Sequence, residues 1–158
     1  MKRQLSYALP IVWLIFIFLL SGESGKASSA ESLEIAEGIR NFFDISVSTE
    51  EVNHFLRKAA HVFVFGTEGI LIANALKKTK YYYLFSAAIC SAAAFADEFH
   101  KIFVPGRHCH PEEIKLDIIA SVTAITLFAL GQNLPLRAKK TVTTSNCSKL
   151  RKIGLKTK

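Results

Sequence analysis

Apolar residues in this chain occur in four long blocks, and the charged residues fall mostly in the segments between them. Each block is close to the length that a helix needs to cross a bilayer, for which about 17–25 residues suffice. The four blocks are Leu5–Gly22, Ala59–Leu76, Tyr81–Phe99 and Ile114–Leu134. The pattern therefore predicts an all-α integral membrane protein, built as a bundle of four transmembrane helices.

Two other interpretations of these blocks remain open on hydropathy alone. Buried helices of a soluble bundle would also be apolar, although four in a row without a polar face are unusual. The first block also resembles a signal peptide, because Lys2 and Arg3 precede it and the small residues 28–30 follow it as a potential cleavage site.

The charge distribution predicts how the bundle is oriented. The 158 residues include 20 Lys and Arg against 13 Asp and Glu, giving a net charge of +7. Thirteen of the basic residues and none of the acidic ones lie in residues 1–4, 77–80 and 135–158. Because basic residues accumulate in cytoplasmic segments, both termini are predicted to be cytoplasmic. The domain division that follows is a membrane domain over residues 1–134 and a basic cytoplasmic tail over 135–158.

The same distribution excludes several classes of protein. Apolar blocks of this length argue against an intrinsically disordered chain and against a disulfide-stapled secreted domain. The basic tail has no interleaved aromatic residues, so we expect it to be disordered on anionic lipid and to bind no nucleic acid. The expected partner is the lipid bilayer, and the pattern leaves the oligomeric state open.

The outer ends of the second, third and fourth spans carry an unusual density of polar residues. Ionisable groups at membrane depth are costly, so they tend to pair or to function. Helical spacing puts Arg57 and His61 on one face, and Asp97 and His100 on another. The residues of this predicted polar cluster are Arg57, Lys58, His61, Asp97, Glu98, His100, Arg107, Glu113 and Asp117.

Two local features complete the pattern around the cluster. The stretch Phe103–Arg107 is typical of a turn, because Pro105 restricts φ and Gly106 is conformationally permissive. Glu68 continues the face of His61 deeper into the membrane, where a carboxyl group is expected to be neutral or partnered.

The residue types of the cluster fit more than one role. An anionic ligand such as a phosphate or carboxylate would suit Arg57, Lys58 and Arg107. His61 and Asp97 are candidates for acid–base catalysis. An interhelical salt-bridge cluster that locks the bundle is an equally open interpretation.

A metal site is a further alternative, with four potential ligands at His61, Asp97, His100 and Asp117. It is disfavoured because the chain has no His-x-x-x-His or paired-cysteine spacing. We therefore predict neither a metal nor a cofactor.

Three stretches of the chain carry motifs of a known family. Residues 97–107 resemble the signature Asp-Glu-x-His-Gln-x-Phe-x-Pro-x-Arg, and Glu113 and Asp117 stand where the family has acidic residues six and ten positions later. Residues 54–61 resemble its Phe-x-Arg-Lys-x-x-His motif, and residues 18–32 resemble its Ser-rich exit from the first span. Over about residues 10–130 the chain resembles the VanZ-like membrane protein family.

The chain departs from the family pattern at four positions. Lys101 stands where Gln is usual, Val64 where Glu is usual, Ala120 where Gly is common and Glu113 where Asp is more usual. The missing Glu and the added Lys make the site more positive. Glu68, one turn beyond Val64, is a candidate to replace the missing carboxylate.

The resemblance implies a retained first span and a multi-pass protein of the bacterial cytoplasmic membrane. Because the founding member of the family is associated with resistance to the glycopeptide teicoplanin, the resemblance favours a protein of the cell envelope. Such a protein would alter how a glycopeptide or an anionic cell-wall precursor engages the outer membrane face. The alternatives are an intramembrane enzyme acting on a lipid-linked or wall substrate, with His61 and Asp97 as its acid–base pair, and a structural or regulatory partner of another membrane protein.

Overall fold

The computed structural model describes residues 2–44 and 46–133, and these residues form five helices and no strand. The helices are α1 Lys2–Ser21, α2 Gly25–Phe42, α3 Thr49–Leu76, α4 Tyr82–Lys101 and α5 Pro111–Asn133. The all-α prediction is therefore confirmed. The predicted basic tail, residues 135–158, lies outside the described residues.

Local signals explain where α3 and α5 begin. Ser48 and Glu51 form a capping box, in which the Glu51 N–H donates to Ser48 Oγ at 3.2 Å and the Ser48 N–H donates to Glu51 Oε2 at 3.3 Å. The helix α5 begins at Pro111, a residue that fits the first turn because it has no N–H to satisfy. Acidic residues follow Pro111 in that turn and complement the helix dipole.

The helix α2 is the element that the hydrophobic pattern does not predict, because it contains no apolar block. It is held by contacts with other segments. Its first N–H, from Gly25, donates to the carbonyl oxygen of Pro105 at 3.1 Å, and Arg40 Nη1 donates to Thr49 Oγ1 at 3.2 Å. The helix also packs against α3. It therefore covers the end of the bundle at which the polar residues lie.

The core of the bundle consists of two small buried groups. Near the Leu76 end of α3, Ile72 packs with Ala73, Cys90 and Ile125, and near the middle of α3 Phe65 packs with Ile17 and Ala94. Polar bonds join the helices at the level of the second group. Trp13 Nε1 donates to the carbonyl oxygen of Val64 at 3.0 Å, and Ser121 Oγ donates to that of Phe65 at 3.2 Å.

Two of the described helices are long and apolar enough to cross a membrane, namely Thr49–Leu76 and Pro111–Gln132. Ser6–Ser21 is a shorter apolar helix. The helix α4 ends in a turn rich in charged residues, which reduces its apolar length. Two helices are thus candidate membrane spans, and the four-span bundle with cytoplasmic termini stays a prediction.

Candidate functional site

Lys101 is the centre of a buried group of charges at the end of α4. Its side-chain Nζ lies 3.3 Å from Asp97 Oδ2 and 3.0 Å from Glu113 Oε2, and it also pairs with Glu98 Oε1. Lys101 is only 3% exposed, and Asp97 and Glu98 are buried as completely. We call these four residues the Lys101 cluster. A single cation faces three carboxylates, two of which are buried, and this makes the cluster sensitive to loss of that cation.

His61 of α3 is bracketed by two carboxylates of α5. Its Nδ1 lies 3.0 Å from Asp117 Oδ1, and its Nε2 lies 3.5 Å from Glu113 Oε2. The ring also stacks on Phe65, with the centroids 6.2 Å apart and the planes 9° from parallel. His61 therefore contacts Asp117 and Glu113, and the acid–base partner suggested by the sequence, Asp97, interacts with Lys101 instead.

The loop between α4 and α5 is held to the Lys101 cluster by its own backbone. Glu98 Oε2 accepts a hydrogen bond from the His110 N–H at 2.8 Å. Gly106 has φ of +75°, a left-handed conformation that disfavours other residues, and the predicted turn is present there. Arg107 leaves this turn towards the end of α1, where its Nε donates to the carbonyl oxygen of Glu23 at 3.0 Å.

A cavity of about 200 Å³ lies between the ends of α1, α2, α3 and α4 and the Arg107 loop. We call it the arginine cavity. Its polar wall is formed by Ser21, Glu23, Ser28, Ser32, Arg57, His61, Asp97, Lys101 and Arg107. Its remaining wall is apolar. The cavity thus lies directly beside the buried charges and shares Asp97, Lys101 and His61 with them.

Two arginines on the cavity wall have no carboxylate partner. Among the residues that the structure describes, Arg57 and Arg107 form no ion pair, although both are half-buried. Ser21 Oγ and Asp97 Oδ1 are buried on the same wall without a hydrogen-bond partner in the described part of the chain. An anion between the arginines would satisfy their donors, and a hydroxyl group on that anion would satisfy Asp97 Oδ1.

Two residues of the predicted cluster lie elsewhere. Lys58 is exposed on α3 and does not line the arginine cavity. The His100 ring packs edge-on against Phe18 of α1, with the centroids 5.9 Å apart. Of the four residues considered as metal ligands, His61 and Asp117 are in contact, whereas Asp97 pairs with Lys101 and His100 packs against Phe18. Within residues 2–44 and 46–133 no group of three or more His, Cys, Asp or Glu side chains is arranged to hold an ion.

The predicted polar cluster leaves out Lys101, Ser28 and Ser32, all of which line the cavity. Helical spacing puts Lys101 on one face with Asp97, but it does not indicate the further contact with Glu113 of α5. Ser28 and Ser32 belong to the stretch that resembles the Ser-rich exit of the family, and they reach the cavity because α2 packs against α3.

Glu68 lies apart from the site, in the interior of α3. It is completely buried, and neither carboxyl oxygen has a hydrogen-bond partner among the described residues. It makes no hydrogen bond or ion pair with the Lys101 cluster, so it does not replace the carboxylate that is missing at Val64. An ionised group there would cost several kcal/mol without a partner.

Comparison with known proteins identifies a family but no individual relative. The family model described as VanZ/LLP1 matches residues 6–132, which include all residues of the Lys101 cluster and of the arginine cavity. The curated proteins and the solved structures gave no match.

Proposed function

Since the chain belongs to the VanZ/LLP1 family, we propose that it is a multi-pass protein of the bacterial cytoplasmic membrane that binds an anionic group of an envelope ligand at the outer face. Through this binding it alters how a glycopeptide such as teicoplanin, or a cell-wall precursor, engages the membrane surface. The arginine cavity is the binding site. The activity is binding without transport or chemical conversion.

The surface of the helices supports the membrane part of the proposal. Leu19, Phe63, Leu84 and Leu127 are each more than 60% exposed, one on each of α1, α3, α4 and α5. A soluble monomer rarely exposes large apolar side chains on every helix, whereas a membrane protein presents them to lipid. All four helices would then cross the bilayer, with the basic turn 77–80 in the cytoplasm and the arginine cavity at the opposite, outer end.

The observation that carries the binding role is that Arg57 and Arg107 line the cavity and form no ion pair among the described residues. Guanidinium groups bind phosphates and carboxylates through paired hydrogen bonds, and they do so best where water is partly excluded. Cell-wall precursors present phosphates and carboxylates at the outer face. The positions of Arg57 and Arg107 are therefore suited to recognise such a group.

Neutralising both arginines is expected to abolish the contribution of the protein to teicoplanin tolerance. A hydrogen bond to a charged group contributes about 1.5–3 kcal/mol, so the variant Arg57→Gln with Arg107→Gln should weaken ligand binding at least about 100-fold. The measurement is teicoplanin and vancomycin susceptibility of a sensitive Gram-positive host that expresses each variant, with membrane levels matched by blotting.

The matched control is Lys58→Gln with Lys115→Gln, which removes two positive charges from exposed positions outside the cavity. This control should keep the tolerance of the wild type. If the double arginine variant also kept it, the cavity would not be the binding site. If the wild type itself gave no tolerance, the glycopeptide role would be wrong.

An intramembrane enzyme acting on a lipid-linked or wall substrate is the second candidate. It is favoured by Asp97 Oδ1, a buried and unpartnered oxygen on the cavity wall that is placed to accept a proton from a bound group. Asp97→Asn distinguishes the two functions in the same assay. A binding protein should retain most of its effect with the amide, whereas an enzyme that needs the carboxylate should lose it while folded protein remains in the membrane.

A further inference from the structure

The geometry points to a phosphate-bearing amphiphile as the ligand of the arginine cavity, with its phosphate between Arg57 and Arg107 and the start of its apolar chain between α1 and α3. This inference rests on the proposed function and specifies its ligand class.

The cavity is lined by apolar as well as by polar side chains. Its apolar lining includes Ile17 and Leu20 of α1 and Val64 and Phe65 of α3. A free inorganic anion gains nothing from these side chains, whereas a methylene chain packed against them leaves water and is stabilised by that burial. The apolar wall therefore selects a ligand that carries hydrocarbon next to its charge.

The size of the cavity fits such a ligand. A volume of about 200 Å³ exceeds the space of a single small ion, since a water-sized group takes about 30 Å³. A phosphate group with several carbon atoms attached fills this space. The rest of a longer chain must then leave the cavity.

Two apolar residues of the cavity lining are exposed at the molecular surface. Leu20 is 43% exposed, and Ala60 is exposed as well. Both lie on helices that present large apolar side chains outward, so a chain that leaves the cavity past them would enter the hydrocarbon of the bilayer. On α1, the change from apolar Ile17 to the polar Ser21 takes four residues, about 6 Å along the helix. A membrane amphiphile changes from chain to headgroup over a similar distance.

Hydrogen bonding restricts the headgroup further. Asp97 Oδ1 needs a donor, and two arginines together with Ser21 Oγ supply donors for phosphate oxygens. A phosphate monoester that retains one hydroxyl satisfies both requirements, because its hydroxyl donates to Asp97 and its remaining oxygens accept from the arginines. A phosphodiester without hydroxyl groups leaves Asp97 Oδ1 unsatisfied.

The test is binding of defined phosphates to the full chain purified in a neutral detergent, read out from Trp13. This residue is the single tryptophan of the chain, and its Nε1 bonds to the carbonyl oxygen of Val64 on the cavity wall. The probes are phosphatidic acid with brominated acyl chains, phosphatidylcholine with the same chains, inorganic phosphate and glycerol phosphate. The affinity obtained from quenching of the Trp13 fluorescence should be at least about tenfold higher for brominated phosphatidic acid than for brominated phosphatidylcholine.

Variants separate the cavity from non-specific attraction of anionic lipid to the basic segments. Arg57→Gln with Arg107→Gln should reduce the affinity for phosphatidic acid about 100-fold, and Lys58→Gln with Lys115→Gln should leave it unchanged. Leu20→Asn should weaken binding of phosphatidic acid about tenfold and leave the thermal stabilisation by inorganic phosphate unaltered. Leu19→Asn is its control, because Leu19 is more exposed and does not line the cavity.

Each outcome decides the inference separately from the proposed function. Equal affinity for inorganic phosphate and phosphatidic acid overturns the inference that the ligand is an amphiphile. The cavity would then be a binding site for anions in general, and the proposed effect of the protein on drug susceptibility would still stand. Quenching that does not depend on the two arginines also overturns it. Arginine-dependent quenching without any effect on drug tolerance supports the amphiphile and contradicts the proposed glycopeptide role.

Discussion

Replacing Lys101 with alanine is expected to lower the free energy of unfolding by about 3–5 kcal/mol, the largest effect of a single substitution in this chain. The side chain is nearly inaccessible to solvent and faces the carboxylates of Asp97, Glu98 and Glu113. Without the cation, these groups repel one another where water cannot screen them. Chemical or thermal unfolding of the purified protein in detergent, followed by the loss of helical signal, measures the change.

Two further variants test the cause of this loss. Lys58→Ala removes a cation from an exposed position of α3 and should change stability by no more than about 0.5 kcal/mol. Adding Glu113→Gln to Lys101→Ala removes one of the repelling carboxylates and should restore part of the lost stability. A Lys101→Ala protein as stable as the Lys58→Ala protein would contradict the buried ion-pair interpretation.

Gly69→Ala is expected to force α3 and α5 apart, at a cost of about 1–3 kcal/mol. A Cβ atom at this position would lie 2.8 Å from the carbonyl oxygen of Ser121 and 3.3 Å from Ile125 Cγ1. The first of these is a backbone atom that cannot rotate away. Separation of the helices would also lengthen the bond between His61 and Asp117, which is 3.0 Å. The same unfolding measurement detects the loss.

Gly66→Ala is the matched control, one turn earlier on the same helix. An added Cβ there would meet Ala124 Cβ at 3.8 Å, an ordinary contact. Because alanine is favoured over glycine inside a helix by about 0.5–1 kcal/mol, this variant should be as stable as the wild type or more so. Gly69→Ala at or above wild-type stability would mean that the two helices do not approach as closely as described.

The apolar blocks predicted the helices better than they predicted their ends. The first, third and fourth blocks agree with α1, α4 and α5 to within about three residues at each end. The block that begins at Ala59 is too short, because α3 begins at Thr49 and its first turns are polar. Hydropathy locates only the apolar part of a helix, whereas the capping box of Ser48 and Glu51 determines where the helix starts. That motif is present in the sequence and would have corrected the boundary.

The helix α2 is an element that the apolar blocks do not predict at all. Its residues form no apolar block, and its apolar side chains recur every three residues but are few, namely Ala30, Leu33, Ala36 and Ile39. This periodicity permits a helix but does not indicate what the helix packs against. Contacts of Gly25 with Pro105 and of Arg40 with Thr49 hold it against the bundle end. It becomes helical in a position that only the surrounding segments define.

The sequence by itself determined the helical class, the concentration of charge at one end of the helices and most of the residues that meet there. Only the tertiary structure decided the partners. His61 contacts Asp117 and Glu113, and Lys101 pairs with three carboxylates. Arg57 and Arg107 line a cavity and form no ion pair in the described part of the chain. The physical reason is that local spacing specifies which side chains share a helical face, because the backbone repeat is fixed. Which faces then meet depends on the packing of helices whose contacting residues lie 12 to 82 positions apart in the chain.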